Sequence, residues 1–583
     1  MGTISDKLMR IINTKEDIRQ ALISKGYDVP TSIPFKEYAK MILDLPCNAD
    51  SFPDIEGIVA RYSASGLTNE QMATNPVWVD KTGNGHDLQM KNFAWKGMSG
   101  VGGYVQNFNH FRNNTTVDRV RIDEQSSNSI KVTILNTEIN NAIYIPKNIY
   151  QFNKSYFIKI SSEGYNEGDL SLSFYASSTS TATTVKVPLN PNGITEIPAI
   201  KEDDFLAVYL NVGGKVGSIT IEQLPLYPGA LVFDGVDDCG VCDNFPILTK
   251  EKGYTVVVLR QWDQDFLNTT LTGGLLSTRN YSTGEGVAFE KIESSNKGYW
   301  NLGAGGIIDF AKSPFTWQTS KQYNNVGILK GDKNHGKPLC VGCGLSGGQQ
   351  CGRFAIWELV FLDHDATEEE LTKIKDYFVK TYPWLFPDQA WTVVGKTNED
   401  EDRATIANIT GNGNDLILSN FGFAEGSGYN EEGQYAGYLV TDGVDDKITS
   451  STFEMGNDWT VIGDWELINT GKKDNAGIVK FNSIVIYNYN PILINIKNGR
   501  NNLIPDQNTV NAICSDGRIY SKDWKESIYN EETESTSKNL LTIGYSGNSY
   551  TKIAFKNLAI YPTVLSKEDC IKAYNYLQTI KSK

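Results

Sequence analysis

The chain has 583 residues, 54 of them basic and 69 acidic, for a formal net charge of −15 at pH 7. That length suits three to five domains at roughly 100–200 residues each, and the acidic surplus repels phosphate backbones, which excludes nucleic acid as a partner. No apolar run approaches the roughly 18 residues that would span a membrane, and eight cysteines in so long a chain do not make a disulfide scaffold.

The first residues, Met1 to Asp6, have no basic stretch followed by an apolar block, so they are not read as a Sec-type signal. Ile4, Leu8, Ile11 and Ile12 then recur at helical spacing. Thr14 and Asp17 resemble a capping box, and the helix they open carries Ile18, Ala21 and Leu22 on one face, with Gly26 placed to end it. Pro34 starts a third helix whose apolar side is Phe35, Tyr38, Ala39 and Ile42. Three short amphipathic helices bury little by themselves and need a partner surface. That surface is either the neighbouring domain or another protein, and Ile4, Leu8, Ile11, Ile18, Leu22, Phe35, Tyr38 and Ile42 are the candidate docking residues.

Beyond this segment the chain repeats itself. Thr-Gly-Asn-Gly-x-Asp-Leu occurs at Thr82–Leu88 and again at Thr410–Leu416. Asn92-Phe93 and Ser99-Gly100 follow the first copy at the distances at which Asn420-Phe421 and Ser427-Gly428 follow the second. Asp-Gly-Val-Asp-Asp comes next, at Asp234–Asp238 and Asp442–Asp446. From Gly428 to Asp442 is 14 residues and from Gly100 to Asp234 is 134, so 134 − 14 = 120 residues are spliced into the first copy. One module is used twice, and its first copy carries a guest domain.

Ile58–Tyr62 is a predicted strand of the first module. Ser129–Leu135, Ser155–Ile160, Asp169–Phe174, Thr184–Val187, Phe205–Asn211 and Gly217–Ile221 read as strands at short intervals, which predicts an all-β sandwich for the guest. The first module resumes at Leu231–Phe233 and continues through Thr255–Leu259 and Phe354–Leu362. Thr367 and Glu370 open a closing helix with Leu371, Ile374, Tyr377 and Phe378 apolar, ended by Tyr382-Pro383-Trp384. The second module repeats the plan with Thr460–Ile462, Phe555–Tyr561 and a helix opened by Ser566 and Asp569 that buries Ile571, Tyr574 and Leu577. The boundaries are residues 1–48, 52–104 with 229–388, 105–228 and 389–583.

Asp-Gly and Asn-Gly steps supply positive φ cheaply and make tight turns. Asp234, Asp237, Asp238, Asp442, Asp445 and Asp446 therefore either bond turn amides or hold Ca²⁺, which needs six to eight oxygens. Cys239-x-x-Cys242 and Cys340-x-x-Cys343 could together hold Zn²⁺, stay as thiols or form a disulfide; the second module has no cysteines at the equivalent places. No metal or cofactor residue is assigned. Catalytic patterns fail. Glu202-Asp203-Asp204 lacks the final Glu of a glucanase strand, Gly344–Gly348 lacks the strand-to-helix setting of a nucleophile elbow, and His86, His110, His335 and His364 are scattered.

Two resemblances add to this reading. Thr14–Pro30 with Pro34-Phe35-Lys36-Glu37-Tyr38-Ala39 and Ile42 resembles the N-terminal piece of many bacteriophage tail and fibre proteins, with Tyr27 where Val is usual. Phe233–Asp238, Thr82–Leu88 and Ala366–Leu371 in the first copy, and Thr441–Asp446, Thr410–Leu416 and Leu565–Ile571 in the second, are similar to the concanavalin A-like, laminin-G type jelly roll. Thr441 stands where that family has Phe.

The resemblances imply a mainly β chain: tandem jelly-roll sandwiches, an inserted β-sandwich and a small N-terminal α-helical anchor. They imply a non-enzymatic structural protein of a tailed-phage virion, a head or tail fibre or exterior decoration assembled in the host cytoplasm. Its partners would be other capsid or tail proteins, a further copy of itself in a homo-oligomer, and a host-surface glycan, with no membrane insertion. The alternative is a free bacterial carbohydrate-binding adhesin. Trp95, Trp262, Trp317, Trp391 and Trp465 are the candidates for stacking on sugar rings, with the protein core as their other destination.

Overall fold

A computed structural model describes residues 52–583, together with Lys15 and Arg19, both helical. Residues 152–153, 176–184, 201–206, 279–287, 292–296, 301–305, 310–325, 331–337, 346–348, 432–434, 469–476, 488–491, 497–499, 505–509, 529–538 and a few single positions or pairs are left out of the description. The eight docking candidates, Ile4, Leu8, Ile11, Ile18, Leu22, Phe35, Tyr38 and Ile42, lie outside the described residues, as do Glu202, Asp203, Asp204, Trp317 and His335.

The chain is mainly β. Strands whose side chains alternate between apolar and polar pair into antiparallel sheets, and facing sheets bury their apolar sides together. In the first module one sheet is built on Arg353–Leu362, flanked by Thr255–Trp262 on one side and by Leu231–Asp234 and Ile58–Ser63 on the other. The sheet facing it runs through Leu88–Lys91, Cys239–Cys242, Leu339–Val341 and Gly273–Ser277. In the second module Ile553–Tyr561 lies between Thr460–Leu467 and the pair Gln389–Thr392 and Leu439–Val440. Its facing sheet runs through Leu416–Ser419, Lys447–Phe453 and Asn539–Ile543.

Strands between Arg112 and Gln223 form two five-stranded sheets among the described residues. Val120–Gln125, Asn141–Pro146 and Ile194–Ile197 are strands there that the sequence reading lacks. Val120–Gln125 is an edge strand of mostly polar residues, so it carries almost no alternation to detect.

The closing helix of the first module is Glu368–Thr381, with the full capping box between Thr367 and Glu370. That of the second is Lys567–Leu577, capped by Ser566. Both pack on the outward faces of the Arg353–Leu362 and Ile553–Tyr561 sheets. Val257, Trp357, Val360, Ile374, Phe378, Ile462, Ala559, Tyr561, Tyr574 and Leu577 belong to one continuous buried cluster, which also takes in Phe157 and Ile194 of the guest. The two modules and the guest therefore share a core in addition to their own. Polar contacts cross the same junction. Tyr576 Oη donates to Gln261 Oε1 at 2.7 Å, and Lys556 Nζ lies 3.6 Å from Glu196 of the guest and 3.5 Å from Asp464.

Candidate functional site

Thr82–Leu88 is a turn closed over one carboxylate. Asp80 Oδ1 accepts from the amides of Arg61 (3.0 Å) and Thr82 (3.0 Å), and Asp80 Oδ2 accepts from the amide of His86 (3.3 Å). Asp87 Oδ1 accepts from the Asp80 amide at 2.8 Å. In the second copy Asn408 takes the place of Asp80, accepting from the amides of Ala390 and Thr410, and Asp415 accepts from the Asn408 amide. The first repeated phrase is a structural lock on the loop.

Asp234–Asp238 is not the turn of a hairpin. Leu231–Asp234 lies in one sheet and Cys239–Cys242 in the facing one, so the turn is an arch between the two layers. The second copy does the same between Leu439–Val440 and Lys447–Phe453. Gly235 (φ +76°) and Gly443 (φ +74°) are required here, because a Cβ would stand 2.9 Å from Arg353 Cβ in the first and 3.0 Å from the Lys552 amide nitrogen in the second.

The acidic side chains lock this arch. The Val236 amide donates to Asp234 Oδ1 (2.7 Å) and the Asp234 amide to Asp238 Oδ2 (2.9 Å). Ser99 Oγ donates to Asp238 Oδ1 (2.9 Å) and accepts from the Ala94 amide (2.8 Å). Asn92 Nδ2 donates to the Asp237 carbonyl at 3.0 Å. Val444, Asp442, Asp446, Ser427, Gly422, Asn420 and Asp445 repeat these bonds. Asp234, Asp237 and Asp238 each offer an oxygen within 4.8 Å of the others, as do Asp442, Asp445 and Asp446. Three carboxylates fall short of the ligand count of Ca²⁺, and turn bonds occupy those of Asp234, Asp238, Asp442 and Asp446. The turn-bonding role read from the sequence is thus seen at Asp234, Asp238, Asp442 and Asp446.

Burial in the arch pushes the Asp238 carboxyl up to about 8, against the hydrogen bonds from Asp234 and Ser99, and pushes Asp446 up to about 6. The folded value of Asp238 lies above its ordinary 3.8. The stability linked to it is therefore fully present below about 3.8 and is lost as pH rises through about 8. Asp238→Asn should flatten this dependence. Melting temperatures of wild type and variant, measured at about pH 5 and about pH 8, should show a smaller drop in the variant; an equal drop would refute the assignment.

The loop that Ser99 and Asn92 clasp to the arch carries a half-buried aromatic at left-handed backbone. Trp95 (φ +52°) stacks on Phe93 with ring centroids 4.7 Å apart. Its counterpart Phe423 (φ +50°) lies 6.0 Å from Phe421, under the Arg403 guanidinium at 5.1 Å. A non-glycine residue held there costs about 1–3 kcal/mol and marks functional sites more often than not-strained backbone does. At each arch tip an apolar side chain faces solvent: Val236 and Val444 are both 69% exposed. This rim, with Trp95 in one module and Phe423 in the other, is the candidate functional site.

Of the other tryptophans proposed from sequence, Trp262, Trp391 and Trp465 are buried in the cores. Phe423 was missed because it is not a tryptophan, although its place in the repeat equals that of Trp95. Asn69 and Asn398 were missed as well. Asn69 brackets Val101 with bonds of 2.7 and 3.2 Å, and Asn398 brackets Tyr429 with two of 2.8 Å. The phrase Thr-Asn-Glu at Thr68–Glu70 and Thr397–Glu399 was the available signal.

The cysteines regroup. Residues three apart on a strand point to opposite faces, so Cys239 and Cys242 cannot bind one and the same ion. Cys242 faces the module core, its Sγ donating to Asn244 Oδ1 at 3.0 Å. Cys239 instead joins Cys340, Cys343 and Cys351 in a separate buried cluster. Interaction with Cys239, Cys340 and Cys351, and then burial, push the Cys343 thiol up. Interaction with Cys343, aided by Lys91, holds Cys239 down at about 7 and Cys340 below the usual thiol value.

No family model matches the chain, and no curated protein does. Similar solved structures include the botulinum neurotoxin serotype D binding domain, at 9% identity and a TM-score of 0.24, covering 59% of this chain and 91% of that one. The serotype D ligand binding domain in complex with N-acetylneuraminic acid matches at 10% identity and 0.23, covering 58% and 88%. The sialidase of Trypanosoma rangeli in complex with sialic acid matches at 7% identity and 0.24, covering 82% and 97%. At these TM-scores the likeness carries no conclusion about fold, ligands or residues.

Proposed function

We propose that this chain is a non-enzymatic adhesion and structural protein of a tailed-phage particle, docked through its first 45 or so residues and holding glycans at the rims of its two modules. The observation that carries the adhesive part is the repeated rim. In both modules a half-exposed aromatic is kept at left-handed backbone against a second ring, stacked on Phe93 in the first and tilted to Phe421 in the second, and its loop is clasped to the arch by Ser and Asn bonds. Strain that is built twice needs a return, and a fixed flat ring is the surface on which the C–H face of a sugar stacks. The docking part is supported by the resemblance of Thr14–Ile42 to phage fibre N-termini.

The rim is tested by glycan-array binding of the full chain beside Trp95→Ala with Phe423→Ala. Binding should weaken at least about tenfold, equal to about 1.4 kcal/mol, while the variants stay folded by circular dichroism, since alanine keeps the same left-handed backbone cost and only the packing of a half-buried ring is lost. Undiminished binding, or no glycan bound by the wild type, would overturn it. Docking is tested separately by mass spectrometry of purified particles. The full chain should co-purify and the chain lacking residues 1–45 should not. Glycan binding without any particle association would favour the free adhesin instead.

A further inference from the structure

We infer that the open sheet face of the guest domain is a binding site for an acidic glycan chain, separate from the rims of the two modules and independent of them. The guest has two sheets, and they face different ways. Phe157 and Ile194 belong to the sheet of Tyr156–Glu163 and Ile194–Ile197, and both enter the core shared with the modules. The other sheet runs in the order Val185–Leu189, Leu170–Tyr175, Ala207–Asn211, Asn141–Pro146 and Arg112–Asn113. Its inward residues, among them Ile143, Leu172, Val187 and Leu210, fill the guest's own core. Its outward face therefore points away from the junction.

The strand registers lay one straight row of side chains across that face. Arg112 pairs with Tyr144, Tyr144 with Tyr209, Tyr209 with Ser173 and Ser173 with Lys186. Directly paired residues of an antiparallel ladder stand on the same side of the sheet. The ends of the row are exposed cations, and half-buried tyrosines and the buried Ser173 lie between them. Tyr144 stacks on Tyr209 with centroids 5.6 Å apart, and Tyr175 meets Tyr209 edge-on at 5.1 Å. Beside the row, Asn211 Nδ2 donates to Asn141 Oδ1 (3.1 Å) and Asn141 Nδ2 donates to Tyr175 Oη (3.3 Å). The hydroxyls of Tyr144 and Tyr209 have no hydrogen-bond partner among the described residues, and neither oxygen is buried, so both reach solvent.

Cross-strand aromatic pairs stabilise a sheet by themselves, but that role does not choose the charges around them. The chain as a whole carries −15, yet neither this row nor Asn141, Asn211 and Ser171 beside it includes a carboxylate. An anion at the face meets Arg112 and Lys186 first, because charges farther off than about 8–10 Å are screened. Arg112 suits a carboxylate or sulfate through its planar fork, and Lys186 suits it as a point charge. Between them the tyrosine rings offer apolar surface to the C–H groups of a sugar, and the free hydroxyls offer hydrogen bonds to its hydroxyls. Four strand spacings separate the ends of the row, about 19 Å. One sugar ring cannot meet both cations, so the occupant is a chain with repeated acidic groups. Two cations are too few for a nucleic acid, whose hold rests on many phosphate contacts.

The test is an array of polyuronate, sialylated, sulfated and neutral glycans, with a single-stranded oligonucleotide beside them, probed with the full chain. Three variants run in parallel: Arg112→Gln with Lys186→Gln, Tyr144→Ala with Tyr209→Ala, and the rim variant Trp95→Ala with Phe423→Ala. Acidic glycans should bind the wild type and the rim variant alike. Removing the two charges should weaken that binding about fivefold and removing the two rings about tenfold. Arg112 and Lys186 are exposed, so the charge variant decides even where the ring variant fails to fold. Raising salt from about 0.05 to about 0.5 M should weaken the wild type more than the charge variant. Glycans that only the rim variant loses belong to the rims, so the two sites are told apart spot by spot. No acidic glycan on the wild type, or acidic glycans held equally by the charge variant, would overturn the site. A neutral glycan that depends on the tyrosines and not on the charges, or the oligonucleotide bound in preference, would overturn the ligand class.

Discussion

Glu358→Ala is expected to lower the unfolding free energy by about 3–5 kcal/mol, because it strips the partner from a buried charge. Glu358 is wholly buried and Arg61 is 4% exposed, and their side chains meet at 3.1 Å. Tyr382 Oη donates to Glu358 Oε1 at 2.7 Å, and Arg61 Nη2 donates to Tyr377 Oη at 2.8 Å. The guanidinium also lies 4.1 Å from the centroid of Phe52. Burial pushes the Glu358 carboxyl up, and the Arg61 charge opposes that push. Without Glu358 the buried Arg61 guanidinium loses its counter-charge and the Tyr382 hydroxyl its carboxylate acceptor under the closing helix.

The second module shows that the fold does not need the pair. In the ladder Arg61 faces Val360, and at the matching places Ala390 faces Ala559. Asn557 stands at the place of Glu358. Removing both charges should therefore cost less than the two single losses added together. Arg61→Met, Glu358→Gln and the double variant form a cycle whose coupling is expected at about 2–3 kcal/mol, read from urea midpoints at unchanged slope. Additive losses would mean that the pair contributes nothing as a pair.

The pair also shows what a sequence hides. Arg61 and Glu358 are 297 positions apart, and neither belongs to a motif. Turn chemistry, in contrast, is local. Asp-Gly-Val-Asp-Asp announced its own bend, and the repeat located every arch, Ser99 and Asn92 included. What the phrase could not say is whether the bend joins neighbours in one sheet or crosses to the other, since both use the same residues. The cysteines erred for the opposite reason: a C-x-x-C spacing suits a metal in a loop, but on a strand it divides the two sulfurs between faces. Phe423 was legible in the repeat, at the place of Trp95, whereas Cys351 needed the fold that brings it to Cys239 and Cys340. The mainly β class was legible from alternation and turn residues. The shared core was half-legible, because Thr255–Trp262 and Arg353–Leu362 are apolar nearly throughout, and a strand without alternation is covered on both sides.

That second covering is where the other large effect falls. Trp357→Ala is expected to cost about 3–5 kcal/mol and to divide one unfolding transition into two. Trp357 is fully buried on the outward face of the first module's sheet, in the core shared with both closing helices. Its Nε1 donates to the Pro228 carbonyl at 2.8 Å, where the chain returns from the guest, and its ring meets Tyr576 of the second module edge-on at 6.1 Å. One side chain thus touches three units. Lys556 occupies the same place in the second module and reaches Glu196 of the guest, while Phe157 of the guest meets Tyr574 at 5.5 Å. A junction so apolar should make the modules unfold together, unlike domains joined by a polar interface. Calorimetry of the wild type should show one transition whose van't Hoff and calorimetric enthalpies agree. Trp357→Ala should separate an early transition of the first module from a later one of the second, and Trp357→Phe should restore part of the coupling. Two transitions in the wild type would show that the shared core does not couple the modules; a single lowered transition in the variant would show that contacts other than Trp357 suffice to hold them together.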